Sequence, residues 1–187
     1  PRVDWTIARR GVDFLGWGIN PGNDWIRDQY YGGPYMTKKY MHLKSEQNLN
    51  NYGSGFYNGK NYRMYRLANI LLWRAEIAVE DGDLELARSL VNQIRNRAKY
   101  STPVMGLCTT YENPDANPVV DWTKPAANYR VEPYPEGHPA FSDREGAREA
   151  VRMEIRLEFA TEGHRFFDLR RWGKDDPAQM EESLGAL

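Results

Sequence analysis

Three glutamates near the C-terminal end of the chain constrain its fold more than any other feature. Glu154, Glu158 and Glu162 recur every four residues within the stretch EIRLEFATEGHRFFDLRRWG, residues 154–173. At about 100° and 1.5 Å per residue, this spacing places the three carboxylates along one edge of a helix. That edge falls inside an apolar arc, and a buried, unpaired carboxylate costs several kcal/mol. The sequence therefore predicts that basic side chains meet these glutamates.

Two groups of arginines can supply those cations. One group follows the glutamates directly and the other lies in an earlier helical segment: Arg165, Arg170 and Arg171, then Arg95 and Arg97. We expect a structural ion-pair motif that ties the last helix to the Arg-rich stretch and to the earlier helices. Its members are Glu154, Glu158, Glu162, Arg165, Asp168 and Arg171. The apolar arc beside them contains Ala147, Val151, Ile155 and Leu157.

Residues 62–98 predict a helical hairpin. The first helix, about 62–80, is apolar around most of its circumference, so we expect it to be buried. Gly82 suits the left-handed position that ends a helix, and Asp83 can cap the next one. The second helix, about 84–98, is amphipathic. Small residues at Ala75, Ala78 and Ala87 resemble the close packing of a tetratricopeptide repeat, which needs neighbouring helices to cover its faces.

The rest of the chain divides by composition. Residues 1–61 are rich in glycine and aromatic residues and predict long loops with short strands or helical turns, not an independent domain. Residues 99–142 contain seven of the eleven prolines and predict a long loop. A capping box beginning at Ser142 starts a helix that leads into the R-W-G motif, over residues 143–173. Residues 174–187 form a polar tail. The fold class is mainly α.

Composition excludes several functions. The net charge of -1 does not predict a nucleic-acid surface. Cys108 is the one cysteine, so no intrachain disulfide can form, and no apolar run approaches the ~18 residues of a membrane span. The chain begins at Pro1, which indicates a fragment or a processed product.

Known catalytic and metal motifs are also missing. No nucleophile elbow or phosphate loop occurs, so we predict no catalytic residue and no cofactor. The chain has three histidines, and His164 with Asp168 has a spacing that could share a metal. We instead predict that His164 is hydrogen-bonded to a neighbouring acid, and that no metal site exists.

The aromatic and glycine-rich segment is the candidate binding region. Sugars present apolar C–H faces that pack on aromatic rings, and hydroxyls that bond to Asp, Asn, Arg and Gln. The stretch around Trp25 offers both kinds of group in a loop. The predicted ligand residues are Trp17, Asp24, Trp25, Arg27, Tyr30 and Tyr31.

Two segments resemble the C-terminal half of the SusD/RagB family, the surface nutrient-binding lipoproteins of Bacteroidetes. One is YRLANILLWRAEIAVEDGDLELARSLVNQIRNRA, residues 65–98, and the other is the glutamate-rich stretch 154–173. PRVDWTIARRG, residues 1–11, is similar to a stretch that precedes the hairpin in many members. Asn69 departs from the pattern, since it occupies the place of a frequent glutamate.

The resemblance implies a SusD-like helical fold with tetratricopeptide-like pairs. It implies capture of an oligosaccharide without catalysis, and delivery to a TonB-dependent, SusC-like transporter. It also implies an outer-membrane, surface-exposed location through an N-terminal lipid anchor that this fragment lacks. Two other readings remain open. One is a helical-repeat module that binds proteins, and the other is a glycoside hydrolase that uses the three glutamates.

Overall fold

The computed structural model describes residues 1–47, 61–113, 117–174, 177–178 and 181. It confirms the mainly helical fold class. The helices are α1 (Arg2–Thr6), α2 (Gln29–Gly32), α3 (Leu67–Asp81), α4 (Leu84–Lys99), α5 (Arg144–Glu158) and α6 (Arg165–Trp172). Single 3₁₀ turns occur at Asn23–Trp25, Lys44–Glu46 and Pro139–Phe141. Part of the loop-rich segment 1–61 and most of the tail 174–187 lie outside the described residues.

Helices α3 and α4 form the predicted hairpin. Gly82 adopts a left-handed backbone with φ of 84°, and Asp83 accepts a hydrogen bond from the amide of Leu86 at 3.0 Å. The first helix begins at Leu67, several residues later than predicted, because Arg66 is extended. Asn69 explains this start, since its side-chain oxygen accepts the backbone N–H of Arg66 at 2.9 Å. The side-chain amide of Asn69 thus takes the place of the acidic side chain in a capping box.

The hydrophobic core lies between α3, α4 and α5. Its fully buried members include Leu72, Ala75, Val79, Ala87, Val91, Ala147, Val151 and Ile155. The prediction that α3 is buried over most of its circumference is wrong, because Leu67, Ile70 and Ile77 are each more than half exposed. The described helices cover only one side of α3. Leu157, expected in the apolar arc of α5, is also 44% exposed.

In the part of the chain that the structure describes, two small antiparallel sheets flank the helices. Strand β1 (Ile7–Ala8) pairs with β2 (Met36–Thr37), in keeping with the short strands predicted for this segment. Strand β3 (Met105–Cys108) pairs with β4 (Val120–Pro125), with Cys108 opposite Val120. The sequence predicted a long loop at 99–142 without strands, so this second hairpin is a correction. Its register is irregular between Met105 and Leu107.

Buried polar contacts hold the first segment in place. The fully buried Asp4 pairs with Arg9 at 2.7 Å and accepts the hydroxyl of Tyr129 at 2.5 Å. The ammonium group of Lys38 donates to the carbonyl oxygens of Asp4 and Asp13, at 2.9 and 2.7 Å. These bonds compensate the burial of the charged groups and link α1 to the loop before β2.

Two further predictions concern α5 and membranes. The cap of α5 is Asp143, one residue later than the predicted Ser142, because Asp143 accepts the amide of Gly146 at 2.8 Å. Within the described ranges, none of the helices has the length and apolar character needed to cross a membrane.

Candidate functional site

The aromatic loop, residues 17–31, presents two tyrosine rings to solvent. Asp28 caps α2 by accepting the amide of Tyr30 at 2.9 Å, so this single helical turn has a defined start. Tyr30 and Tyr31 are its second and third residues and are 93% and 87% exposed. Their rings meet edge to face with centroids 5.8 Å apart. Rings this exposed contribute little to a core and are available to a ligand.

Trp17 and Trp25 are fixed more firmly than the two tyrosines. Trp25 packs edge to face on Phe14 at 6.1 Å and remains 40% exposed. The half-buried Trp17 donates its indole N–H to the carbonyl of His42 at 3.2 Å, and the ammonium group of Lys44 lies 4.1 Å from its ring. Trp25 is therefore a partly open ring, whereas much of Trp17 is already covered.

The aromatic loop also contains exposed charged residues. Asp24 lies in the 3₁₀ turn Asn23–Trp25, and both it and Arg27 are exposed. The loop thus brings exposed rings and charged groups together within eight residues of chain, which is the mixture that sugars require. The contacts between Trp25 and the tyrosine pair needed for one continuous platform remain a prediction.

The three glutamates of the ion-pair motif, here the glutamate cluster (Glu154, Glu158 and Glu162), are all buried. The spacing predicted all three glutamates on one helix. Helix α5 instead ends at Glu158, so Glu162 lies in the following turn. The carboxylates still converge because cations bridge them. Arg66 donates to Glu158 at 2.5 Å and to Glu162 at 2.7 Å. Arg2 joins Glu154 at 2.5 Å to Glu158 at 3.3 Å.

The remaining partners come from α4 and from the loop after β2. Arg95 donates to Glu154 at 3.1 Å, and Arg97 donates to Glu158. Lys39 donates to Glu162 at 2.6 Å and to the carbonyl of Glu158 at 2.7 Å. Five cations from four separate parts of the chain thus meet three carboxylates.

These contacts favour the ionised form of Glu158 and Glu162. Burial by itself raises the pKa of Glu158, but the hydrogen bond and charge of Arg66 and the charge of Arg97 hold that pKa below its usual value. The pKa of Glu162 is held down in the same way, against burial, by Arg66 and Lys39. Burial lowers the pKa of Lys39, although Glu162 partly offsets this. A carboxylate with a depressed pKa is a poor general acid near neutral pH.

The arginines that follow the cluster have other partners. Arg171 pairs with Glu76 at 2.8 Å and with Asp168 at 3.0 Å, and Arg165 lies over the ring of Trp172. The expectation that they neutralise the cluster is wrong. The chain turns between α5 and α6 through left-handed residues at Thr161 and Gly163, which separates α6 from the edge of α5.

His164 differs from its prediction as well. Its Nε2 atom is buried and has no hydrogen-bond partner among the described residues. Its ring stacks on Tyr65 at 6.0 Å and meets Phe159 edge to face. The nearby carboxylate of Asp168 is bonded to Arg171 instead. Among the residues that the structure describes, no group of three or more His, Cys, Asp or Glu side chains is placed to hold a metal ion.

Two cavities lie away from the aromatic loop. The larger, about 1450 Å³, runs between α3, α5 and α6 and is lined by Tyr65, Trp73 and Phe167 among others. The smaller, about 340 Å³, adjoins the glutamate cluster. None of the six predicted ligand residues lines either cavity. The sequence missed both, because each is formed by residues distant along the chain.

The comparisons with known proteins give one match. A family model described as the SusD family matches residues 1–186, which is nearly the whole chain. The comparison with curated proteins and the comparison with solved structures returned no match.

Proposed function

Because the chain belongs to the SusD family, we propose that it captures an oligosaccharide at the bacterial outer-membrane surface for a TonB-dependent, SusC-like transporter. Members of this family are generally non-catalytic proteins that bind glycans for nutrient uptake, and they are typically outer-membrane lipoproteins. The proposal extends this role to the present chain, including its lipid anchor and its transporter partner.

The exposed tyrosine pair is the observation that carries the proposal. Tyr30 and Tyr31 are the two most exposed large aromatic side chains in the described part of the chain, and no described residue covers them. Exposing two such rings sacrifices the stabilisation that burial would provide, about 1.5–3 kcal/mol for a large apolar side chain. With Trp25, Asp24 and Arg27 they supply stacking surfaces and hydrogen-bonding groups. Loops commonly hold the binding residues of a protein.

The test compares the double variant Tyr30→Ala/Tyr31→Ala with the wild-type protein on a glycan array and on affinity gels. The matched control is Tyr100→Ala, which removes a ring that is 80% exposed at the end of α4. We expect glycan retention to fall at least tenfold in the double variant and to stay unchanged in the control. Thermal unfolding of all three proteins should agree within about 0.5 kcal/mol, as for surface substitutions. Equal retention by the double variant and the wild type would refute the role of the tyrosine pair.

One observation favours a second function, a helical-repeat module that binds another protein. Leu67, Ile70 and Ile77 form an exposed apolar strip on α3, beside the larger cavity. Apolar patches of this kind often mark interaction surfaces. Replacing Ile70 and Ile77 with Ser would abolish protein binding in this case and leave glycan retention intact. Protein binding without any glycan retention would favour this function over glycan capture.

The glycoside hydrolase reading receives little support from the geometry. Glu158 and Glu162 each have a pKa below the usual value, whereas a glycosidase needs one carboxyl group with a raised pKa. The carboxylates are also occupied by arginine and lysine donors. Release of sugar by the wild-type protein that is lost in a folded Glu158→Gln variant would restore this reading.

A further inference from the structure

The residues that line the smaller cavity carry a net positive charge. We call it the cationic pocket, and it lies between α1, the segment before α3 and the C-terminal end of α4. Its charged lining residues are Arg2, Lys39, Arg63, Arg66 and Arg97, with Glu158 and Glu162. Five cations against two carboxylates leave three positive charges in excess. Including the adjacent Glu154–Arg95 pair does not change this excess.

The excess is concentrated on two arginines at the open side of the pocket. Arg2, Lys39 and Arg66 are mostly buried by their bonds to the glutamate cluster. By contrast, the side chain of Arg97 is 59% exposed although it donates to Glu158. The side chain of Arg63 is exposed and forms no ion pair with any described residue. Both guanidinium groups thus have donors available for an incoming anion.

Aromatic rings border the same pocket. Trp5 is about half exposed, and its indole N–H donates to the carbonyl of Thr102 at 3.2 Å, which fixes the orientation of the ring. Tyr40 stacks on Tyr62 with centroids 4.8 Å apart. A fixed, exposed ring next to free guanidinium donors can recognise a ligand that has both an apolar face and a negative charge.

The size of the pocket limits what it can take. Its volume of about 340 Å³ lies at the lower end of the usual range of small-molecule sites, about 300–1000 Å³. That space suits one sugar unit with its charged substituent. Arginine matches this chemistry because its planar fork of N–H donors binds carboxylate and sulfate-like oxyanions through paired hydrogen bonds.

We propose that the cationic pocket binds an anionic sugar unit, whose carboxylate or sulfate group meets Arg63 and Arg97 while its ring packs against Trp5. This inference rests on the proposed function, since it specifies the class of glycan, but it assigns a site separate from the aromatic loop. The glutamate cluster then has a second role, because it holds Arg66 and Arg2 at the base of the pocket.

The test measures binding of four matched probes by ligand-observed NMR and calorimetry: glucose, glucuronic acid, glucose 6-sulfate and sodium sulfate. The variants are Arg63→Ala, the double variant Arg63→Ala/Arg97→Ala, and the control Arg74→Ala, which removes an exposed arginine of α3 that does not line the pocket. Arg63→Ala removes no ion pair seen in the described structure, so its effect on binding is separable from an effect on folding. Thermal unfolding verifies that each variant is folded.

We expect at least one of the two anionic sugars to bind at least tenfold more tightly than glucose. This preference should fall several-fold in Arg63→Ala, disappear in the double variant and persist in Arg74→Ala. It should also weaken as salt is raised from 50 to 500 mM, since exposed charges are screened. The tighter of the two anionic sugars identifies the group as carboxylate or sulfate.

Three results would overturn the inference: equal binding of glucose and both anionic sugars, an unchanged preference in the double variant, or sodium sulfate binding as tightly as glucose 6-sulfate. Neutral glycans that bind in a Tyr30- and Tyr31-dependent manner, without any anionic preference, would refute the pocket and leave the proposed function standing. If the wild-type protein binds no glycan on the array, the proposed function itself is refuted.

Discussion

Removing one carboxylate from the glutamate cluster tests whether these ion pairs hold the fold together. The side chain of Glu158 is 2% exposed and accepts hydrogen bonds from Arg2, Arg66 and Arg97. Breaking a buried pair by removing one partner typically costs about 3–5 kcal/mol. After Glu158→Ala, Arg2 and Arg66 keep their bonds to the other two glutamates, and the half-exposed Arg97 can be hydrated. We therefore expect a loss near the lower limit, about 3 kcal/mol.

Urea unfolding followed by circular dichroism measures this loss, and thermal unfolding provides a second measurement. For a chain of this length about 1 kcal/mol corresponds to a 2–4 °C change in Tm, so we expect a decrease of about 6–12 °C. Glu149→Ala is the control on the same helix, since that carboxylate is exposed and should cost less than about 0.5 kcal/mol. Glu158→Gln should lose most of the same stability because it keeps the size but not the charge. A loss below about 0.5 kcal/mol for Glu158→Ala would refute the reasoning.

The remaining predictions address other parts of the fold. Glu158 and Glu162 have pKa values below their ordinary value of 4.5. Their contribution to the free energy of unfolding is therefore complete above about pH 4.5 and is lost as pH falls through the lowered values. Measuring this free energy against pH should show the decline, and a flat profile from pH 5 to 2 would contradict it. Gly11→Ala should destabilise the protein by more than 1 kcal/mol, because φ is +79° and the added Cβ would lie 2.3 Å from Cβ of Cys108. An unchanged free energy of urea unfolding would contradict this. Asp83→Ala should cost about 1 kcal/mol by removing the cap of α4, with Asp83→Asn as the control that retains most of it.

The sequence predicted the parts of the fold that depend on local periodicity. The α3–α4 hairpin was clear because Gly82 and Asp83 mark its turn by their own chemistry. Strand β4 was missed because its residues are mostly exposed and it ends at Pro125, so it lacks the alternation of a half-buried strand. The requirement of the glutamate cluster for cations was also predictable from its apolar surroundings.

The identity of those cations was not predictable, apart from Arg95 and Arg97. Arg2, Lys39 and Arg66 reach the cluster because α1, the loop after β2 and the start of α3 fold back onto α5. Proximity along the chain had favoured Arg165 and Arg171, yet the turn after α5 directs them elsewhere. The cationic pocket is a product of the same long-range packing, so no local pattern could reveal it.

The span of the ion pairs has a consequence for the order of folding. Arg2 contacts Glu154 and Glu158, which follow it by 152 and 156 residues. Chains are synthesised from the N-terminus, so the cations of α1, α3 and α4 emerge long before the carboxylates that neutralise them. Until α5 is complete, their mutual repulsion opposes the packing of these segments. We therefore expect this region to be completed late and cooperatively, and a chain ending before Glu154 to keep its N-terminal segment undocked.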